Sequence, residues 1–93
     1  MIKPTVGRVV WYYPANASIQ QQPFAALIAF VHDDTMINVG GFDNYGIIFS
    51  DTNVLLLQDE GSYGNPSGGA WCCWMPYQKA VASGSQDPTL HAT

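Results

Sequence analysis

The residues best suited to catalysis or metal binding do not form a catalytic set in this sequence. His32, Asp33 and Asp34 are consecutive, and a histidine beside two carboxylates could act as a general base or hold a metal ion. The triplet has neither a third converging ligand nor helical spacing, so its pattern is typical of a turn. Asp59 and Glu60 are adjacent in a polar, glycine-rich stretch, where a solvated loop edge is the expected role. We therefore predict no catalytic residues and no metal site.

The two cysteines, Cys72 and Cys73, are adjacent in the sequence. Successive residues of a strand point to opposite faces, so a disulfide between them is not expected. Two cysteines without CxxC spacing also make a poor zinc site, and each is predicted to be a small buried apolar residue. The sequence also contains no GxSxG pattern, phosphate loop or dinucleotide fingerprint. These features predict a protein that is not an enzyme and has no cofactor.

Aromatic side chains are the feature that the sequence does concentrate. Residues 69–77 hold two tryptophans, both cysteines and a tyrosine, and residues 11–13 read Trp-Tyr-Tyr. Alternation along a strand places such rings on both faces of a sheet. One face of so small a protein forms its core. The other face must be covered by a partner subunit, a ligand or a neighbouring loop.

Arg8 and Lys79 are the cations that accompany these aromatic clusters. Arg8 interrupts an apolar run, where an arginine pairs with a carboxylate, stacks on an aromatic ring or binds an anion. Aromatic rings stack on nucleobases with roughly 1–3 kcal/mol each, although core packing and interface anchoring are alternative roles for the same rings. The predicted ligand-binding residues are Arg8, Trp11, Tyr12, Tyr13, Trp74, Tyr77 and Lys79.

The composition restricts the partners. The chain has 93 residues, of which 47% are apolar and 11% are charged, against roughly 25% charged in an average soluble domain. So few charges cannot cover the outside of a monomer, and we expect a homo-oligomer because association removes apolar surface from water. The formal net charge is -4 with three positive residues. Duplex nucleic acid is therefore not an expected partner, whereas one cation with backbone N–H groups suffices for a small phosphorylated ligand.

The sequence also predicts a location in the cytoplasm and no membrane partner. Its longest apolar run, residues 24–31, is far shorter than a membrane span. The first residues lack an apolar core followed by a cleavage site, so we expect no secretory signal.

Short apolar segments separated by turn-forming clusters predict an all-β fold. We expect strands over residues 5–13, 24–32, 35–39 and 71–75, and either one kinked strand or two short ones over residues 47–58. The run 24–32 is expected to be a buried strand. Turns are expected at residues 33–34 and 43–46, and Gly40-Gly41 is expected to mark a bulge or a sharp bend.

This spacing predicts a small five-stranded barrel of the SH3-like type, with an OB-like barrel or a small sandwich as alternatives. We expect residues 1–79 to form a single β-barrel domain. Residues 80–93 are expected to be a flexible C-terminal tail.

The segments Val-Gly-Arg-Val-Val and Tyr-Tyr-Pro near the start, residues 23–29, and Trp-Met-Pro-Tyr-Gln near the end span most of the chain up to Lys79. In this order they resemble a family of short proteins common in bacteriophage genomes. The resemblance implies a phage origin, a location in the host cytoplasm and a compact β-rich domain. It brings no established activity and no catalytic residues.

Two functions are compatible with these features. The first is a non-enzymatic phage protein that sequesters a small nucleotide-type signal of bacterial immunity at an oligomer interface, an anti-defence role. The nucleotide follows from the phage context that the resemblance implies. The alternative is a phage structural or adaptor protein that binds another protein through an aromatic surface.

Overall fold

The computed structural model describes residues 1–17, 21–58 and 64–76. Its five strands form a closed barrel in which sequential strands are neighbours, so the predicted small five-stranded all-β barrel is confirmed. The strands are β1 (Val9–Tyr13), β2 (Phe24–Asp33), β3 (Met36–Phe42), β4 (Ile48–Leu57) and β5 (Trp71–Cys73). In the part of the chain that is described, no helix has the length and apolar character needed to cross a bilayer.

The barrel closes through β5, which pairs antiparallel with β1 and parallel with β4. The other neighbours, β1–β2, β2–β3 and β3–β4, are all antiparallel. An odd number of strands in sequence order cannot alternate direction throughout, so one parallel pair is required. This order differs from the Greek key of the OB-like alternative, and the closed sheet is not a sandwich.

The barrel interior is filled by alternate residues of the strands, as the period of a strand requires. The largest fully buried side chains are Trp74, Ile28, Ile37, Leu56, Val10, Val39 and Cys72. Their neighbours in the sequence point outward. Packing of the inner set against itself holds the five strands together.

β1 is shorter than the predicted strand over residues 5–13. Gly7 has a φ of 94°, which favours glycine and turns the chain just before the strand. The pairing with β2 continues across this turn, because Gly7 N donates to Ile28 O at 2.8 Å and Ile28 N donates to Arg8 O at 2.9 Å. Arg8 therefore lies just before β1 and not inside an uninterrupted strand.

The predicted bulge at Gly40-Gly41 is absent, since both glycines pair in continuous register with β2 and β4. Register shifts lie instead at Ile28/Phe30 and Val31/Asp33 in β2. Gly41 serves a close approach of two strands, because a Cβ there would overlap the carbonyl oxygen of Ala25.

The predicted choice between one and two strands over residues 47–58 is settled as one kinked strand, β4. Asn53 takes a left-handed φ of 55°, beside a register shift between Ile37 and Val39 of β3. Asn38 supports this bulge, because its Oδ1 accepts a hydrogen bond from Asn53 N at 2.9 Å and lies 2.9 Å from His32 Nε2.

Both predicted turns are confirmed. In the β2–β3 turn, Asp33 Oδ1 accepts hydrogen bonds from Thr35 N at 2.8 Å and Thr35 Oγ1 at 3.1 Å. In the β3–β4 turn, Gly46 N donates to Asp43 O at 3.0 Å. Asp33 and Asp43 are thus turn-forming residues, and the expectation of turn chemistry for the His32 triplet is met at Asp33.

Candidate functional site

Among the described residues, the fold brings the predicted site residues Arg8 and Trp74 into contact. The guanidinium carbon of the exposed Arg8 lies 5.7 Å from the centroid of the Trp74 ring, in cation–π geometry. Arg8 Nη1 is also 3.5 Å from Lys3 O. Trp74 is 2% exposed, and its Nε1 donates to Gln58 Oε1 at 3.1 Å. Among the sequence alternatives for Arg8, the structure shows the stack on an aromatic ring.

Tyr12 points into the barrel. Its ring contacts those of Phe24 and Phe49 at centroid distances of 5.9 and 4.7 Å, and its hydroxyl donates to Asp51 Oδ2 at 2.7 Å. Burial, and then the Asp51 carboxylate, raise the pKa of Tyr12 well above its ordinary value. Tyr12 is therefore a neutral, hydrogen-bonded core residue in the free chain.

Tyr13 is also buried, although alternation directs it away from Tyr12. Its ring stacks on Trp71 of β5 with centroids 4.2 Å apart and planes inclined by 11°. The two residues are register partners, so the stack closes one end of the β1–β5 pair. This ring face of Tyr13 is occupied by the chain itself, and a nucleobase would have to displace Trp71 to use it.

Trp11 is half-buried and points outward. It lies between Tyr12 and Val10, both of which point inward. Tyr77 and Lys79 lie outside the described residues. The structure thus joins Arg8 to Trp74 just before β1 and places Tyr12 and Tyr13 at the end of that strand. The seven predicted ligand-binding residues stay a prediction.

An exposed apolar surface lies elsewhere in the described residues, on the outside of β1 to β4. Register places the outward residues of these strands in two parallel rows across the sheet. The first row is Trp11, Ala25, Phe42 and Ile48, and the second row is Val9, Leu27, Gly40 and Ser50. No side chain in either row is ionisable. We call these two rows, with Val6 at their border, the outer face.

The outer face has pronounced relief. A groove of about 550 Å³ runs over it and is lined by residues of both rows, with Val6 at one side. Ile48 is 78% exposed, Phe42 52% and Leu27 50%. Between them the surface is low, because Gly40 has no side chain and Ser50 has a small one. Large apolar groups thus stand beside an uncharged depression.

The prediction of a buried strand over residues 24–32 is wrong for half of its residues. Ala25, Leu27, Ala29 and Phe30 are all exposed, while Ala26 and Ile28 fill the core. A continuous apolar run indicates a strand with both faces covered. Here one of those faces is covered by the barrel and the other is exposed, with Ala25 and Leu27 in the outer face. The run was therefore the sequence signal for this surface.

A smaller polar pocket of about 190 Å³ lies between loops, lined by Asn16, Asn65, Trp71 and several glycines. Its polar groups are engaged locally, because Asn65 Nδ2 donates to Ala70 O at 3.0 Å and Asn65 Oδ1 accepts from Ser67 N at 3.0 Å. No cation lines it. The pocket has the chemistry of a self-contained turn.

Within residues 1–17, 21–58 and 64–76, no three His, Cys, Asp or Glu side chains converge on a possible metal site. Cys72 is buried and Cys73 is half-buried, each as a thiol and not in a disulfide. Burial raises the pKa of the Cys72 thiol, with smaller contributions from Cys73 and Asp51. A raised pKa disfavours the reactive thiolate, as expected of a structural cysteine.

Comparison with known proteins found no matching family model, no matching curated protein and no matching solved structure.

Proposed function

We propose that this chain is a non-catalytic binding protein, a structural component or adaptor, that binds another protein through its outer face. One observation carries the proposal. Two adjacent rows of the sheet lack ionisable groups and expose Leu27, Phe42 and Ile48 to between 50% and 78%. Contiguous apolar surface of this kind marks interaction sites, because leaving it in water costs free energy.

The relief and chemistry of the outer face support a protein surface as the partner. Its groove is lined almost entirely by carbon, with Ser50 as the polar side chain. A phosphorylated ligand would need a cation or a set of free N–H groups there. The N–H groups of a paired strand are used by its neighbours, and Arg8 stacks on Trp74. Apolar side chains of another protein would fill the same groove without loss of hydrogen bonds.

Sequestration of a nucleotide-type ligand stays a second hypothesis, and it depends on Arg8 and Trp74. The Arg8 guanidinium is exposed, so an anion can approach it while the cation–π contact is kept. This second hypothesis includes a phage origin of the chain and a location in the host cytoplasm. Detection of the chain in purified virions would favour the structural role over sequestration.

Co-purification of the full chain from bacterial cells tests the proposed function. Ile48→Glu places a charge on the most exposed apolar side chain of the outer face, and Met36→Glu is the matched control at the opposite end of β3. We expect wild type and Met36→Glu to retain the same stoichiometric protein partner, and Ile48→Glu to lose at least tenfold of it. Equal retention by all three proteins, or no partner with the wild type, would overturn the proposal.

The same preparations test the nucleotide hypothesis. Each protein is denatured, and released small molecules are identified by mass spectrometry. A thermal-shift panel of mononucleotides and cyclic nucleotides is then run on wild type and Arg8→Ala. A stabilising nucleotide whose effect disappears in Arg8→Ala, with an unchanged melting temperature in its absence, would establish sequestration instead. Unfolding of Arg8→Ala would make Arg8 a structural residue.

A further inference from the structure

We infer that the outer face is occupied by a second copy of this chain, related to the first by a two-fold axis. In this dimer the ridge formed by Phe42 and Ile48 of each copy enters the trough formed by Gly40 and Ser50 of the other copy. The inference rests on the proposed function in that it uses the same surface, which the second copy occupies when no other protein is bound.

The ridge and the trough are arranged as a two-fold interface requires. Each ridge residue and its trough neighbour are two positions apart on one strand, Phe42 and Gly40 on β3, Ile48 and Ser50 on β4. Two residues of a strand span roughly 6.6 Å. An axis passing between the rows therefore exchanges ridge and trough, and both contacts form at once. A self-complementary surface of this kind can pack against the same surface of a second copy.

Gly40 is a glycine that the isolated barrel does not require. A Cβ at Gly40 would meet only Phe49 O at 3.8 Å, an ordinary contact distance, and its φ is not left-handed. Gly41, directly beside it, could not carry a Cβ because of Ala25. A glycine inside a strand weakens it, and one reason for its presence is close approach by another chain. An incoming Phe42 or Ile48 supplies that reason.

The charges of the chain favour the same arrangement. Two copies with a net charge of -4 each repel, and that repulsion is smallest when they meet through an uncharged surface. Asp43 is the carboxylate next to the ridge, and its Oδ1 is turned into its own loop, where it accepts from Tyr45 N at 2.8 Å and Ile47 N at 3.0 Å. A basic partner would find no carboxylate on the outer face to pair with.

The available area is that of a modest dimer. Val6, Val9, Leu27, Phe42 and Ile48 are 67%, 39%, 50%, 52% and 78% exposed. A standard interface buries roughly 800 Å² per partner and uses about 20–30 residues a side. Five partly exposed apolar side chains with a rim around them are fewer, so the dimer falls at the lower end of specific interfaces. We therefore expect a dissociation constant in the micromolar range.

Sedimentation equilibrium of the full chain, from about 1 to 200 µM, tests the dimer. Wild type and Met36→Glu should fit one monomer–dimer equilibrium. Ile48→Glu should weaken the dimer at least 100-fold, since it buries an unpaired charge. Gly40→Val should weaken it at least tenfold although it adds apolar surface, because the new side chain fills the trough. Circular dichroism confirms the fold of each variant.

Gly40→Val is the decisive variant. Nonspecific hydrophobic association would be unchanged or stronger in this variant, and either result overturns the ridge-in-trough dimer. A wild type that stays monomeric at all concentrations, or an oligomer larger than a dimer, also overturns it. If the wild type is monomeric and yet loses its protein partner in Ile48→Glu, the proposed function stands without the dimer. If it dimerises but retains no other protein, the proposed function fails and the dimer stands.

Discussion

At the scale of single residues, Tyr12 links the core to the half-buried carboxylate of Asp51. Its hydroxyl donates to Asp51 Oδ2 at 2.7 Å, while Asp51 Oδ1 accepts from Thr52 N at 2.8 Å. The rings of Phe24 and Phe49 pack against the ring of Tyr12. A charge-assisted bond in such surroundings contributes more than one between neutral, solvated groups.

Replacing Tyr12 by Phe should lower the free energy of unfolding by about 1.5 kcal/mol at pH 7, the low end for a bond to a charged group, because Asp51 keeps its second donor. The folded-state pKa of Tyr12 is raised above its ordinary 10.0. Its contribution is therefore complete below pH 10 and declines as the pH rises further. Urea unfolding at pH 7, 10 and 11 should show a smaller decline for Tyr12→Phe than for wild type.

Tyr45→Phe is the control for this prediction, because Tyr45 is 82% exposed. It should match the wild type at each pH. Identical pH dependence of wild type and Tyr12→Phe would contradict the role given to the Tyr12–Asp51 bond.

The aromatic residues show how much of the side-chain packing can be predicted from single positions of the sequence. Their types indicate ring packing, and alternation separates Tyr12 from Trp11 and Tyr13 correctly. The partners could not be predicted, because Trp71 and Trp74 reach β1 only through closure of the barrel. Arg8 likewise had three possible partners in the sequence. The choice among them depends on where β5 lies.

At the scale of elements, the two glycines of β3 illustrate opposite constraints at adjacent positions. Gly41 faces the core side of the strand, where the backbone of Ala25 and Ala26 leaves no room, whereas Gly40 faces outward. Neither position needs a left-handed backbone. Their difference is therefore one of space alone.

Gly41→Ala should lower the free energy of unfolding by about 3 kcal/mol or prevent folding, because its Cβ would force β2 away. Gly40→Ala should be neutral or stabilise the strand by up to about 0.5–1 kcal/mol. Both changes are best made in the Ile48→Glu background, so that association does not contribute to the denaturant midpoint. Similar midpoints for the two variants would contradict this assignment of space.

The elements themselves were largely predictable. Turn chemistry at Asp33 and Asp43 and the apolar segments between them located the strands, and their number indicated a barrel. The ends of β1 and β3 were missed for physical reasons. Gly7 turns the chain where the side-chain pattern still favours a strand. Gly40 and Gly41 continue a strand where the pattern favours a bulge or a sharp bend. The outer face was missed because an apolar run indicates burial without saying what covers it.

At the scale of the whole molecule, electrostatics and apolar contact act in opposite directions. Each copy has a net charge of -4, whereas the residues of the outer face are all uncharged. Repulsion between two copies extends over a Debye length, about 10 Å at 0.1 M salt and 3 Å at 1 M. Contact through apolar groups is not screened by salt.

Self-association should therefore tighten several-fold when NaCl is raised from about 0.1 to 1 M, as screening removes the repulsion. Sedimentation equilibrium at both salt concentrations measures the change. Lys3→Glu makes the net charge more negative at a residue that is not part of the outer face, and it should increase this salt dependence. Weakening with salt would mean that ion pairs hold the interface, contrary to the chemistry of the two rows.

The alternation of inner and outer residues along β1 to β4 also bears on how such a protein evolves. Val10, Ile28 and Val39 pack in the core of the barrel. Their sequence neighbours Val9, Leu27 and Gly40 lie on the outer face, where a binding partner would contact them. Selection can thus act on every second codon of the same strands with little loss of foldability. New recognition specificities are accessible through single nucleotide changes, while the architecture is inherited intact.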